Sequence, residues 1–78
     1  MIYIVARTPA IAHNVAMRLE LKRDQWRCVD SEYDLQGVGQ GITVFLVEGF
    51  DVHPRANRIM TALHYLKAWT WRENDLGR

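Results

Sequence analysis

The sequence predicts a small α/β domain built on a four-stranded, mostly parallel sheet, and three observations lead to this fold. Two nearly unbroken apolar runs, residues 1–6 and 42–47, are rich in β-branched and aromatic residues. Each run ends at polar or turn residues, which gives it the length of a strand. A strand that is apolar on both faces is typical of the covered interior of a parallel sheet. A segment of helical periodicity follows each run, as the alternation of strands and helices in such a fold requires.

The first half of the chain predicts a strand, a helix and a second, shorter strand. The first strand is residues 2–6, Thr8 is a favourable helix N-cap, and Pro9 suits the first helical position. The first helix is expected to run from Pro9 to about Leu21, and the second strand is residues 26–29. The predicted core face of this helix is Ile11, Ala12, Val15, Ala16 and Leu19.

The second half predicts a helical turn, a strand, a helix and an edge strand. Residues 31–34 resemble a capping box, and residues 42–47 form the third strand. The second helix is expected from Pro54 to about Lys67. Its predicted core face is Ala56, Ile59, Met60, Leu63 and Leu66. Residues 68–72 alternate at period two, which predicts an edge strand.

The predicted element order, β-α-β-turn-β-α-β, fits two folds. In a doubly wound sheet of the Rossmann or flavodoxin type, the strand order is 2-1-3-4 and the helices cover both faces. In a ferredoxin-like βαββαβ fold, the two middle strands pair in an antiparallel manner. The unbroken apolar runs favour the doubly wound sheet. The short connection 30–41 favours the ferredoxin-like alternative, because a parallel crossover usually takes about a dozen residues or more.

Length and composition limit the classes of function. The 78 residues suffice for a single domain spanning residues 1–78, and one cysteine permits no intrachain disulfide. No spacing of His, Cys, Asp or Glu predicts a metal site, and no motif predicts a cofactor. The net charge of +1 gives no general attraction to nucleic acid or to a membrane surface. The first apolar run is too short for a signal peptide or a membrane span, so we expect a cytoplasmic protein.

Polar residues at the predicted carboxyl ends of the strands form the first candidate site. Open α/β sheets bind ligands in the crevice at these ends, where the strand order reverses. Arg7, beside the predicted N-terminus of the first helix, could hold a phosphate or a carboxylate there. The alternative is that Thr8 simply caps the helix and Arg7 pairs with Glu48 or Asp30. Asp51 and His53 could form an acid–base pair; alternatively, Asp51 builds a turn and His53 caps the second helix. The candidate ligand-binding residues are Arg7, Thr8, Asp30, Glu48, Asp51 and His53.

Two features predict a surface that binds another protein. The outward side of the second helix carries Arg58, Thr61 and Tyr65, and tyrosine and arginine are enriched in interface hot spots. Trp69 and Trp71 lie on one side of the last strand. Because exposure of tryptophan is unfavourable, this pair either closes the core or meets another chain, including a second copy of the same chain in a homodimer.

One resemblance covers nearly the whole chain. Its motifs are Tyr3-Ile-Val-Ala-Arg-Thr8, Ala12-His13-Asn14, Trp26-Arg27 and His53-Pro54-Arg55. With these motifs the chain resembles small uncharacterised α/β proteins encoded by phages of actinobacteria. The resemblance implies an accessory protein that acts in the bacterial cytoplasm during infection by binding a host or phage protein, and it brings no known active site with it.

The sequence therefore leads to two hypotheses about function. The first is a non-enzymatic protein that acts through protein–protein interaction and self-associates. The alternative is a binder of nucleotides or other anionic ligands, or a weak phosphohydrolase, that uses the crevice around Arg7, Asp30 and Glu48.

Overall fold

The computed structural model describes residues 1–72, in which four strands and two helices alternate with turns. Neither helix is long and apolar enough to cross a membrane, since each has ten residues. In chain order the elements are β1 (Ile2–Val5), α1 (Pro9–Arg18), β2 (Trp26–Cys28), a 3-10 turn (Glu32–Leu35), β3 (Thr43–Leu46), a second 3-10 turn (Phe50–Val52), α2 (Ala56–Tyr65) and β4 (Trp69–Arg72).

The strands form one parallel sheet in the order β2-β1-β3-β4, which confirms the predicted doubly wound arrangement. At the centre of the sheet, Ile4 of β1 lies opposite Cys28 of β2 and Phe45 of β3. On the other side of β3, Phe45 lies opposite Trp71 of β4. The ferredoxin-like alternative is excluded, because β2 and β3 each pair with β1 and not with each other.

The sheet separates two hydrophobic cores, as the unbroken apolar strands predict. Alternate residues of β1 and β3 point to opposite faces, so Ile4 packs on the α1 side and Val5 on the α2 side. The α1 core is made of Ile4, Ala6, Ala12, Val15, Ala16, Phe45 and Val47. The α2 core is made of Val5, Val29, Leu35, Val44, Leu46, Phe50, Ile59 and Leu63. The amino ends of the central strands are less covered: Ile2 and Tyr3 are half-buried and Thr43 is exposed.

Both helices are shorter than the sequence predicts, because each ends in a Schellman motif without glycine. In α1 the left-handed residue is Glu20, with φ of 57°, and the Leu21 N–H donates to the Ala16 carbonyl at 3.0 Å. In α2 it is Lys67, with φ of 51°. Glycine usually occupies this left-handed position at the end of a helix. Because Glu20 and Lys67 stand there instead, the sequence did not reveal where α1 and α2 end. Leu19, predicted in the core, is consequently exposed beyond the end of α1.

The start of α2 also differs from the prediction. The helix begins at Ala56 and not at Pro54, because the second 3-10 turn and the residues after it precede the first helical turn. The predicted core faces are otherwise placed correctly: Ala56, Ile59 and Leu63 are buried, and Met60 and Leu66 pack against the same core. At the start of α1 the Thr8 hydroxyl accepts the Ile11 N–H at 3.3 Å, which confirms the predicted cap.

The left-handed conformation of Glu20 generates the first testable prediction. Glycine adopts this conformation without the steric penalty that a Cβ introduces. We expect Glu20→Gly to be more stable than Glu20→Ala by about 1 kcal/mol in urea unfolding. The Glu20→Ala variant controls for loss of the carboxylate, and equal stabilities of the two variants would contradict the prediction.

Candidate functional site

The residues that follow β2 and β3 are joined by a hydrogen bond between His53 and Asp30. His53 is the one buried polar or charged residue among the described residues, with 8% of its surface exposed. Its Nδ1 accepts the backbone N–H of Arg55 at 2.9 Å, so the ring proton of the neutral imidazole lies on Nε2. That nitrogen lies 2.8 Å from Asp30 Oδ1 and donates to it. The bond therefore links the segments after two strands that flank β1.

The first 3-10 turn holds Asp30 in place. The Asp34 carboxylate accepts two backbone N–H groups through Oδ2, from Asp30 at 2.8 Å and from Ser31 at 3.0 Å. Ser31 and Asp34 thereby complete the predicted capping box with aspartate in place of glutamate. The Asp30 side chain itself is 57% exposed, so the His53–Asp30 bond runs from the interior to the surface.

This arrangement is structural in character. Both ring nitrogens of His53 are engaged, which leaves neither free to take a proton from a substrate. The partner of His53 is Asp30, so the sequence hypothesis of an Asp51–His53 acid–base pair receives no support; Asp51 is exposed in the second 3-10 turn. His53 is also not the N-cap of α2, a position that Arg55 occupies.

A second link, which the sequence analysis missed, joins the same two segments. Glu32 Oε1 accepts a hydrogen bond from Arg55 Nη1 at 2.7 Å, and Arg58 Nη1 lies 4.0 Å away. The Arg55 guanidinium also lies 5.8 Å from the centre of the Tyr33 ring. The other carboxylate oxygen, Glu32 Oε2, is buried without a hydrogen-bond partner among the described residues.

The sequence carried a faint signal of this pairing. The two links, Asp30 with His53 and Glu32 with Arg55, each join residues 23 positions apart. Asp30 and Glu32 are two residues apart in the sequence, and so are their partners, His53 and Arg55. Such a pattern is too short to recognise in one sequence before the fold is known.

The remaining crevice residues are exposed. Thr8 caps α1, and Arg7, Glu48 and Asp51 lie at the surface near the carboxyl ends of β1 and β3. Within residues 1–72, no hydrogen bond or ion pair of the Arg7 side chain to a carboxylate occurs, so the sequence-based alternative that Arg7 pairs with Glu48 or Asp30 is not seen. In the same region, burial raises the pKa of the Cys28 thiol, and the nearby Asp30 and Asp34 carboxylates raise it further. A raised pKa reduces the thiolate fraction, which makes Cys28 a poor nucleophile.

The predicted interface residues fall on two different surfaces. Arg58, Thr61 and Tyr65 lie on the outward side of α2, where Glu32, Asn57, Arg58 and Thr61 line an open groove of about 420 Å³. Trp69 and Trp71 lie on the opposite face of the sheet, because they stand in register with Thr43 and Phe45, and Phe45 belongs to the α1 core. The two sets therefore cannot form one continuous contact.

The two tryptophans of β4 are the most unusual surface feature of the described residues. Trp69 is 70% exposed and Trp71 is 52% exposed, so neither closes the core within residues 1–72. The contrast with Trp26 is informative, since it also lies in an edge strand, β2. Trp26 is half-buried, packs against the α1 core and contacts the His13 ring edge-on at 4.9 Å between ring centres. Over β4, the other edge strand, no described helix supplies such cover.

Within residues 1–72 no group of three or more His, Cys, Asp or Glu side chains is placed to hold a metal ion. No protein-family model, curated protein or solved structure was found to match this chain. The resemblance to proteins of actinobacterial phages, and the functions that it implies, therefore stay predictions.

The His53–Asp30 bond generates the second testable prediction. We expect His53→Ala to lower the free energy of unfolding by about 1–3 kcal/mol, because it removes a buried group and leaves the Arg55 N–H without its acceptor. His64→Ala, at an exposed position of α2, is the control and should change stability by less than about 0.5 kcal/mol. Urea unfolding measures both, and equal losses would show that the buried imidazole has no special structural role.

Proposed function

We propose that this protein acts by binding another protein chain through β4, and not by catalysis. The observation that carries the proposal is the pair of exposed tryptophans on one face of an edge strand. Tryptophan is enriched in interface hot spots, and exposed apolar patches on small proteins often mark interaction sites. The residues with catalytic potential support the same conclusion, since His53 is fully engaged and the Cys28 thiol is disfavoured as a nucleophile.

The backbone of β4 adds a second means of recognition. An edge strand offers backbone N–H and C=O groups on its outer side, and an extended segment of a partner can add to the sheet there. We call the outer backbone of Trp69–Arg72, together with the exposed faces of its two tryptophans, the β4 edge. Hydrogen bonds at this edge would supply affinity, while the tryptophans would supply apolar contact and specificity.

The resemblance noted above suggests the setting of this interaction. An accessory phage protein would meet its partner, a host or a phage protein, in the cytoplasm of an infected bacterium. The near-neutral net charge of +1 is compatible with contacts that depend on shape and apolar area more than on long-range attraction.

Photo-crosslinking tests the proposed function. We expect benzoylphenylalanine at position 70, introduced into the full chain in actinobacterial cells, to form discrete crosslinks, because Thr70 is an exposed residue in the middle of the edge strand that a partner would join. The same group at Met17, which is 76% exposed on α1, is the control and should form none of these products. Mass spectrometry of the crosslinked peptides identifies the partner chain. Identical products from both positions, or none from position 70, would contradict binding through the β4 edge.

A second candidate function is binding of a small anion at the carboxyl end of β1. The observation that favours it is the exposed Arg7 side chain, which has no carboxylate partner within residues 1–72 and precedes the N-terminus of α1. A guanidinium beside free helical N–H groups attracts phosphate.

Thermal denaturation tests this second candidate. We expect inorganic phosphate or ADP at millimolar concentration to raise the Tm of the parent protein, and Arg7→Ala to abolish the rise. Arg23→Ala, at an exposed position in the turn after α1, is the control and should keep it. If neither compound raises the Tm of the parent protein, this candidate is rejected.

A further inference from the structure

The hydrogen-bonding direction of each β4 residue is fixed by its pairing with β3. The Trp69 N–H donates to the Ile42 carbonyl at 2.7 Å, so the backbone groups of Trp69 point toward β3. Alternate residues of a strand point their backbone groups to the same side, so those of Trp71 point toward β3 as well. Thr70 and Arg72 therefore direct their backbone N–H and C=O groups away from the sheet, where no described strand of the chain pairs with them.

The first three residues of β4 are symmetric about Thr70, whose backbone groups face outward. Trp69-Thr70-Trp71 reads the same in both directions. If two β4 strands pair in an antiparallel manner around a twofold axis at Thr70, the two Thr70 residues form a hydrogen-bonded pair. Trp69 of each strand then lies opposite Trp71 of the other, in the non-hydrogen-bonded positions where side chains approach most closely.

In this register, side chains of the same kind meet on each face of the extended sheet. The four tryptophans gather on the face that carries Phe45, and the two threonines meet on the face that α2 covers. Aromatic pairs and threonine pairs are both favourable across antiparallel strands. The charged residue of β4, Arg72, lies opposite Ala68 of the other copy, so the register opposes no like charges within Ala68–Arg72.

The exposed tryptophans supply part of the area that a dimer needs. A tryptophan buries about 150–250 Å² when it is fully covered. Because Trp69 is 70% and Trp71 is 52% exposed, the four rings of two copies have on the order of 400–600 Å² left to bury. Specific interfaces bury about 1,200–2,000 Å² in total, so the paired backbones and flanking side chains of the two strands would have to supply the remainder. A small domain without a disulfide gains stability from such an interface by mass action.

We propose that the occupant of the β4 edge is a second copy of the chain, bound by twofold antiparallel pairing about Thr70 to give one continuous eight-stranded sheet. The inference rests on the proposed function and narrows it, because it names the partner and the register. Residues opposite one another sum to 140 in this register: 70 with 70, 69 with 71, and 68 with 72.

Sedimentation equilibrium over a range of concentrations tests whether the dimer forms. We expect the parent protein to have twice the 9.1 kDa mass of the chain. Replacing either tryptophan with serine should raise the dimer dissociation constant by roughly tenfold or more. Thr70→Pro should give a monomer with an unchanged circular-dichroism spectrum, because proline removes an N–H that points to solvent in the single chain and bonds the second copy in the dimer. Thr70→Val keeps this N–H and should remain dimeric.

Oxidative crosslinking tests the register. In a Cys28→Ser background, Thr70→Cys should form an intermolecular disulfide, because the Cα atoms of a hydrogen-bonded antiparallel pair are about 5.5 Å apart, within disulfide reach. Thr43→Cys, exposed on the neighbouring strand, should not crosslink.

Three results would overturn the inference. These are a parent protein that stays at 9.1 kDa at every concentration, a Thr70→Pro variant that remains dimeric, and crosslinking at position 43 in place of position 70. If the parent protein is a monomer while crosslinking at position 70 in cells traps a different protein, the second-copy inference fails and the proposed function stands. If crosslinking at position 70 also yields nothing, both fail.

Discussion

The structure depends on the burial of β1 and β3 between two separate cores. Side chains of these strands alternate between an α1 face and an α2 face, so each face needs an apolar layer over it. The chain supplies two ten-residue helices for this purpose. Because consecutive β-α-β units extend the sheet in opposite directions from its centre, α1 covers β2, β1 and β3 on one face and α2 covers the other face. On the α1 face the cover ends at β3, whose Phe45 is buried in the α1 core; β4 has no described helix over it, and Trp69 and Trp71 lie there.

The short crossover from β2 to β3 explains the two polar links. A full helix is absent from this connection, and a 3-10 turn that inserts Leu35 into the α2 core stands in its place. One turn buries little apolar area, so it needs additional attachment. The His53–Asp30 and Glu32–Arg55 bonds supply that attachment by fastening the turn to the segment that leads into α2. The polar residues at this edge of the sheet are thereby explained largely by folding, which removes most of the support for a catalytic site there.

The sequence predicted the sheet and its order but neither the helix ends nor the polar links, and the reasons are physical. Strands such as Ile2–Val5 and Thr43–Leu46 are recognisable because burial on both faces removes polar residues from every position. The ends of α1 and α2 were missed because Glu20 and Lys67 adopt a conformation that glycine usually signals. The partner of His53 was missed because Asp30 lies 23 residues away, and only the tertiary fold determines which acid meets the ring. The exposure of Trp69 and Trp71 could not be predicted from the sequence either, because the alternating pattern of a strand does not reveal which of its faces a helix covers.

The β4 edge also lacks the features that usually prevent edge strands from pairing. Natural edge strands are protected by charged residues, proline or bulges. The four residues of β4 include one charge, and the Arg72 guanidinium lies 5.5 Å from the centre of the Phe50 ring, on the face away from the tryptophans. The α1 side of β4 therefore presents two large aromatic rings without a charge in the strand to keep a second strand away. Trp26 in the other edge strand, β2, packs against the α1 core, whereas Trp69 and Trp71 are exposed, and this difference between the two edges supports the proposal that β4 is a contact surface.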